Sequence, residues 1–479
     1  MTQKFWLKIL QACSLSFQPR SDHSGKWGNS TPLSGPRVLL LALALSSCGG
    51  GGGSSTPALS LSALLPWTWI GGSSTPNQPT TATTPGARIS SATWTDSSGN
   101  FWMFGGEISS TSDTNDLWVY NPTTHTWTQE NTSSSPNLPG VYGTRGTPGT
   151  GNLPGARNDS VSWIDQSGNL WLFGGYGYDS VGLAGELNDL WEYNPTAKTW
   201  TWVSGSNQAN QTGVYGTRGT PSTSNVPGAR LASVSWIDLT GNLWLFGGQG
   251  YAASGSLGDL NDLWEYTPGT GQWTWVSGSN QTSQTGVYGT QGTPSSSNVP
   301  GARHDSVAWT DSSGNLWLFG GQYQDPTTHQ SEELNDLWEY APGTGQWTWV
   351  SGSNQFNPVG SYGSSPVPGS RDSSVAWMDT SGGNLWLFGG YGYASTSTAG
   401  ELNDLWKFNL GARQWTWVNG SNQINQVGSY GSQPGTPGMP GARSSANAWF
   451  STSGSGSLWL FGGWEGNGNY LNDLWQYTP

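Results

Sequence analysis

The stretch SVSWIDQSGNLWLFGGYGYDSVGLAGELNDLWEYNPTAKTWTWV, Ser160 to Val203, decides the fold. Apolar and aromatic residues alternate with polar ones at period two, the pattern of strands that bury alternate side chains. The alternation breaks at QSGN and again at PTAK, where Gly, Pro, Asn and Ser supply the backbone freedom that tight turns need. The reading is four antiparallel strands: SVSWID, LWLFGG, DLWEYN and TWTWV.

The unit recurs six times. FGG stands at Phe104, Phe173, Phe246, Phe319, Phe388 and Phe461, at intervals of 69, 73, 73, 69 and 73 residues. NDLW follows each, from Asn115, Asn188, Asn261, Asn335, Asn403 and Asn472. A Gly-x-Arg precedes each, ending at Arg88, Arg157, Arg230, Arg303, Arg371 and Arg443. A lone four-stranded sheet of this composition exposes two apolar faces, and radial stacking buries them while leaving only short edges. The expectation is an all-β, six-bladed β-propeller.

These residues resemble kelch repeats: an Arg before the first strand, a Gly pair ending the second, an aromatic-rich third strand and a Trp opening the fourth. The resemblance covers about Trp67 to Pro479 and implies a kelch-type propeller, akin to the central domain of galactose oxidase. Two departures stand out, a unit near 70 residues against about 50 for kelch, and WTW where one Trp is usual.

The last unit stops at LNDLWQYTP, a third strand with no fourth strand after it. The missing piece lies at the other end, in ALLPWTWIGG, Ala63 to Gly72, which reads like the fourth strand and exit loop of other units. Trp67 to Ile70 is therefore expected to pair with the third strand of the last blade and close the ring.

The connections after strands one and three are tight turns, whereas those after strands two and four are long. In a four-stranded meander the two kinds leave on opposite faces, so one face carries the long loops, where binding sites usually sit.

Ahead of this domain, Val38 to Leu45 is an apolar run, VLLLALAL, behind Arg37 and before LSSC. It has the features of a secretory signal, too short to span a bilayer. LSSC resembles the lipobox of bacterial lipoproteins, which implies Cys48 as the lipid attachment site. The expected organisation is leader and signal peptide over 1–47, a Gly/Ser-rich tether over 48–66, and propeller over 67–479. Localisation follows: exported, at the bacterial cell envelope as an outer-membrane or surface lipoprotein, or secreted.

A formal net charge of −13 argues against nucleic-acid binding, and any membrane contact is expected only through the lipid anchor. Cys13 and Cys48 are the only cysteines, so no thiol chemistry operates in the repeats. No metal-ligand spacing, nucleophile motif or phosphate-binding loop is present, and no cofactor is expected.

Residues 48–479 carry 11 Lys plus Arg against 28 Asp plus Glu, so the six repeat arginines are over half of the positive charge. Two readings stay open for them. They either form a ring at the pore mouth that takes a carboxylate or phosphate, or they are structural and bond loop carbonyls or the acids of NDLW. The candidate ligand-binding set is Arg88, Arg157, Arg230, Arg303, Arg371 and Arg443 with the blade-specific Asp159, His304, Asp305 and Asp372. Loop tyrosines Tyr142, Tyr215, Tyr288, Tyr362 and Tyr430 are either sugar platforms or packing residues. Arg145, Arg218, His329, Glu332, Glu333 and Glu465 add further blade-specific polarity in the long loops.

Three function classes compete. The first is a monomeric, non-catalytic interaction module that shows its long-loop face to a protein or glycan. The second is a sugar enzyme resembling the bacterial kelch-type sialic acid epimerases, with arginines on the substrate carboxylate and an acid or His for proton transfer. The third, a copper oxidase like galactose oxidase, needs a cysteine-linked tyrosine, which the cysteine-free repeats do not supply, and two histidines besides; with His125 on the short-turn face only His304 and His329 remain, too few for the resemblance to reach chemistry.

Overall fold

The computed structural model describes residues 67–131, 135–379, 382–451 and 456–479. The expected leader, the tether and Cys48 lie outside the described residues. No helix among the described residues is long and apolar enough to cross a membrane.

Six four-stranded antiparallel meanders stand around a common axis. In the second, Val161–Ile164, Leu170–Tyr178, Ala184–Asn194 and Thr199–Ser204 lie side by side in chain order. The first strands are innermost and neighbour one another in a closed circle, Ala92–Thr95 touching both Val161–Ile164 and Asn447–Ser451. A tryptophan in each first strand ties its blade to the next: Trp94 Nε1 donates to the Trp171 carbonyl at 3.1 Å, and Trp449 Nε1 completes the circle on the Trp102 carbonyl at 3.0 Å. The chain is a six-bladed β-propeller.

Alternation explains the packing. In Leu170–Tyr178 the residues of both parities are buried, because each sheet is covered by a neighbouring blade on either side. Trp94, Phe104, Leu172, Trp191 and Trp200 meet in one such inter-blade core. The ring closes as the sequence implied. Trp67–Gly71 pairs antiparallel with Tyr470–Tyr477, with Trp67 opposite Tyr477 and Trp69 opposite Trp475.

One expectation is revised. The dozen residues after FGG are mostly hairpin rather than loop, since pairing resumes beyond a bulge at Gly174–Gly175 and runs Tyr176 to Glu186, Gly177 to Gly185. Gly174 and Gly175 have φ of 64° and 95°, and a Cβ on Gly175 would sit 2.3 Å from Ser160 Oγ. Only glycine combines that backbone with that approach.

Candidate functional site

The arginines define the floor of this face without opening onto it. Arg157 Nη1 and Nη2 donate to Asp189 Oδ1 and Oδ2 at 2.8 and 2.7 Å, and its Nε and Nη1 also reach the Gly155 and Gly174 carbonyls, both at 3.0 Å. Asp189 accepts further bonds from Trp191 Nε1 and the Tyr142 hydroxyl. The clamp repeats as Arg88–Asp116, Arg230–Asp262, Arg303–Asp336, Arg371–Asp404 and Arg443–Asp473, and each arginine is 0–1% exposed. Of the two readings, the structural one describes what these six side chains do, and the pore mouth is lined by other residues. The aspartate of NDLW is the partner, while its Asn bonds backbone, Asn188 Oδ1 accepting from Ser206 N.

The loop tyrosines are packing residues too. Tyr142 lies between Trp191 and Trp202, 4.8 and 5.1 Å between ring centres, and is buried with its hydroxyl on Asp189. Tyr215, Tyr288, Tyr362 and Tyr430 repeat the arrangement on Asp262, Asp336, Asp404 and Asp473. Arg145 and Arg218 sit over Trp202 and Trp275, each 4.4 Å from the ring centre, and donate to loop carbonyls.

The pore mouth belongs to the residues two positions after each arginine: Ser90, Asp159, Ala232, Asp305, Ser373 and Ser445. All six have φ between 49° and 54° although none is glycine. Their backbones form a closed ring, each N–H donating to the carbonyl of the preceding blade at 2.8–3.0 Å, with Ser90 N returning to the Ser445 carbonyl. Six blades share one cyclic hydrogen-bond belt, and that mutual constraint holds the left-handed conformation. The belt lines a cavity of about 150 Å³, and beneath it a shaft of about 300 Å³ is walled by Ser, Thr, Ala and Val with Asn447.

Asn158, His304 and Asp372, each one position after an arginine, reach back to the preceding blade. Asn158 Nδ2 donates to Asp113 Oδ1 at 2.8 Å, and His304 Nδ1 lies 2.9 Å from Asp259 Oδ1. Gln322 Nε2 donates to both Glu333 Oε1, at 3.0 Å, and Asp372 Oδ2, at 3.3 Å. Three of the four blade-specific candidates therefore converge on one side of the mouth: His304, Asp305 and Asp372. Asp159 joins the same belt from the second blade. Sequence reasoning had Glu333 as a loop acid and passed over Asp259, Gln322 and Glu401. The available signal was an acid two residues before NDLW in five units: Asp113, Glu186, Asp259, Glu333 and Glu401.

The electrostatics follow from crowding acids where little water reaches. Burial works against charge on His304, but the Asp259 bond and the Asp305 and Asp372 carboxylates outweigh it and push the imidazole up to about 9. Burial, then the Asp372 charge, holds Glu333 well above the carboxylate range, and burial raises Asp372 as well. Burial raises Asp305 as well, with His304 opposing. Burial carries Glu401 up to about 8 against the Ser444 bond. Among the residues just named, His304 alone can carry positive charge. Among the described residues no cluster of His, Cys, Asp and Glu has the geometry of a metal site.

No family model matches the chain. A solved structure, that of YjhT, aligns over 83% of this chain and 96% of its own length, with a TM-score of 0.51 at 14% identity. What the two share is the fold.

Proposed function

We propose that this chain is a non-catalytic binding module of kelch type, which engages a protein or glycan through the channel mouth and the loops around it. One observation carries the reading. The positions that every blade shares are consumed inside the fold, whereas positions that differ from blade to blade, such as Asn158, His304 and Asp372 or Asp159 and Asp305, gather at the mouth. A scaffold with an individual rim is suited to recognition. The signal-like run Val38 to Leu45 and the LSSC that follows support a location outside the cytoplasm, held by lipidated Cys48 or secreted, and the reading takes the protein as a monomer.

The test is a pull-down from cell-envelope extract with residues 49–479, the soluble part, and with a double variant, Asp305→Asn with Tyr391→Ala; Asp305 lines the mouth and is partly exposed, Tyr391 is exposed and pairs with Asp372, and neither belongs to a clamp. A partner held by the parent and lost by the variant supports the reading; equal capture by both refutes it. For the anchor, Cys48→Ser should move the protein from the membrane to the soluble fraction.

A second reading has one observation in its favour. His304 stands between Asp259, at 2.9 Å, and Asp305, at 3.8 Å, an arrangement able to relay a proton to a group in the mouth. It supports a sugar enzyme like the sialic acid epimerases, but one that holds its substrate without the clamped arginines. Anomer exchange of N-acetylneuraminic acid followed by NMR, with His304→Asn as control, decides it: no acceleration by the parent removes this reading.

A further inference from the structure

The seam where the ring closes holds a cavity of about 430 Å³ that stands apart from the mouth. It lies between the hairpin of the sixth blade, which supplies Trp464 and Tyr470, the hairpin tip of the first, which supplies Ser109 and Ser110, and the loop carrying Gln78 and Thr80. Its volume falls within the range of small-molecule sites.

Two departures from the repeat flank it. Ala87 N bonds the Gln78 carbonyl as Ala229 N bonds that of Gln211, which places Thr80 where Gly213 stands and Ala82 where Tyr215 stands. The tyrosine that five other entry loops insert is therefore missing here, and Ala82 is exposed. The second departure is the hairpin of the sixth blade, in which Trp464 pairs with Tyr470 across only five intervening residues. A short loop and a short hairpin leave the space uncovered.

The walls are fixed. Asn77 N donates to the Tyr470 carbonyl at 2.7 Å, and Tyr470 N returns to Asn77 Oδ1 at 2.9 Å. The Tyr470 hydroxyl is bonded to Glu107, and its ring meets Trp464 at 79° with centres 5.0 Å apart. Thr80 is held by Gly86 N and Arg88 Nη2. Among the described residues no charged side chain lines the cavity. One wall is aromatic and partly exposed at Trp464; the others offer the Gln78 amide and the hydroxyls of Ser109 and Ser110.

We infer that this seam cavity binds an uncharged, hydroxyl-bearing ring, a neutral sugar residue, packed on Trp464 and hydrogen-bonded by Gln78, Ser109 and Ser110. An amphipathic wall paired with amides and hydroxyls matches a pyranose, which has an apolar face and a polar perimeter. A carboxylated sugar finds no cation there. The inference rests on the reading of the chain as a binding module and names a glycan as its ligand.

The experiment is ligand-observed NMR with chitotriose, maltotriose and N-acetylneuraminic acid against the soluble part. At least one neutral trisaccharide should give saturation transfer, and N-acetylneuraminic acid none. Trp464→Ala should weaken binding about tenfold or more, with Trp464→Phe restoring part. Ser110→Trp, at an exposed position, should block the cavity without disturbing the core, so a folding defect in Trp464→Ala does not decide the outcome. No transfer from either neutral sugar, transfer from the acidic sugar alone, or binding unchanged in Ser110→Trp overturns the inference. Neutral-sugar binding that Ser110→Trp spares and Asp305→Asn with Tyr391→Ala abolishes overturns the seam site and leaves the binding module standing.

Discussion

Trp67 faces Tyr477 across the strand pair that closes the ring, with their ring centres 5.2 Å apart. Trp67 is fully buried and also packs on Phe388 of the fifth blade, 5.1 Å away. Loss of a buried Trp typically costs about 3–5 kcal/mol. Trp67→Ala should show that loss in chemical denaturation, and deletion of 64–72 should lower the melting temperature by many degrees. A truncated protein that melts like the parent means that the closing strand adds nothing to ring stability.

The clamp of Arg157 and Asp189 lies wholly inside the second blade. Removing one partner of a buried pair leaves the other uncompensated, at a cost of about 3–5 kcal/mol. Asp189→Asn should therefore destabilise strongly, and since Asp189 also accepts from Tyr142 and Trp191, the Tyr142→Phe variant should show a smaller loss. Urea midpoints of the two variants measure both. An Asp189→Asn protein as stable as the parent would mean that the clamp is dispensable.

Ala232 holds φ of 51° inside the hydrogen-bonded belt. That conformation costs a non-glycine residue roughly 1–2 kcal/mol, and more when it is β-branched. Ala232→Gly should be neutral or slightly stabilising, whereas Ala232→Val should destabilise by about 1–2 kcal/mol or more. Denaturation curves showing equal stability for the two would remove the argument for strain in the belt.

Stability should fall as pH rises from about 5 to about 9. Burial lifts Glu401 from an ordinary 4.5 to about 8, and His304 rises from 6.5 to about 9 through Asp259 and its neighbours despite burial. In each case the folded protein holds the proton more tightly than the unfolded chain. The His304 contribution is complete below 6.5 and lost by about 9, and the Glu401 contribution is lost between 4.5 and about 8. Melting temperatures across this range should decline, and Glu401→Gln should flatten the slope. A flat profile in the parent would show that these groups do not titrate differently on folding.

The fold was legible because its information is local. Each strand declares itself by alternation within a few residues, the turns by Gly, Pro and Asn, and the repeat by FGG and NDLW; the spare WTW at Trp67 and the missing fourth strand after Tyr477 then imply closure. The hairpin beyond FGG was harder to see, because the bulge at Gly174–Gly175 interrupts the alternation on which strand reading depends.

The site was legible only in its ingredients. The sequence by itself determined the strands, the six blades, the seam and the gathering of long loops on one face, since period-two burial and turn chemistry act between near neighbours in the chain. The tertiary structure alone decided which side chains meet. Arg157 is consumed by an aspartate from the third strand of its own blade, Asp159 is swung onto the channel by a left-handed backbone that alternation does not encode, and His304 finds Asp259 in the preceding blade. Those partners are far apart in sequence and are brought together only by radial packing.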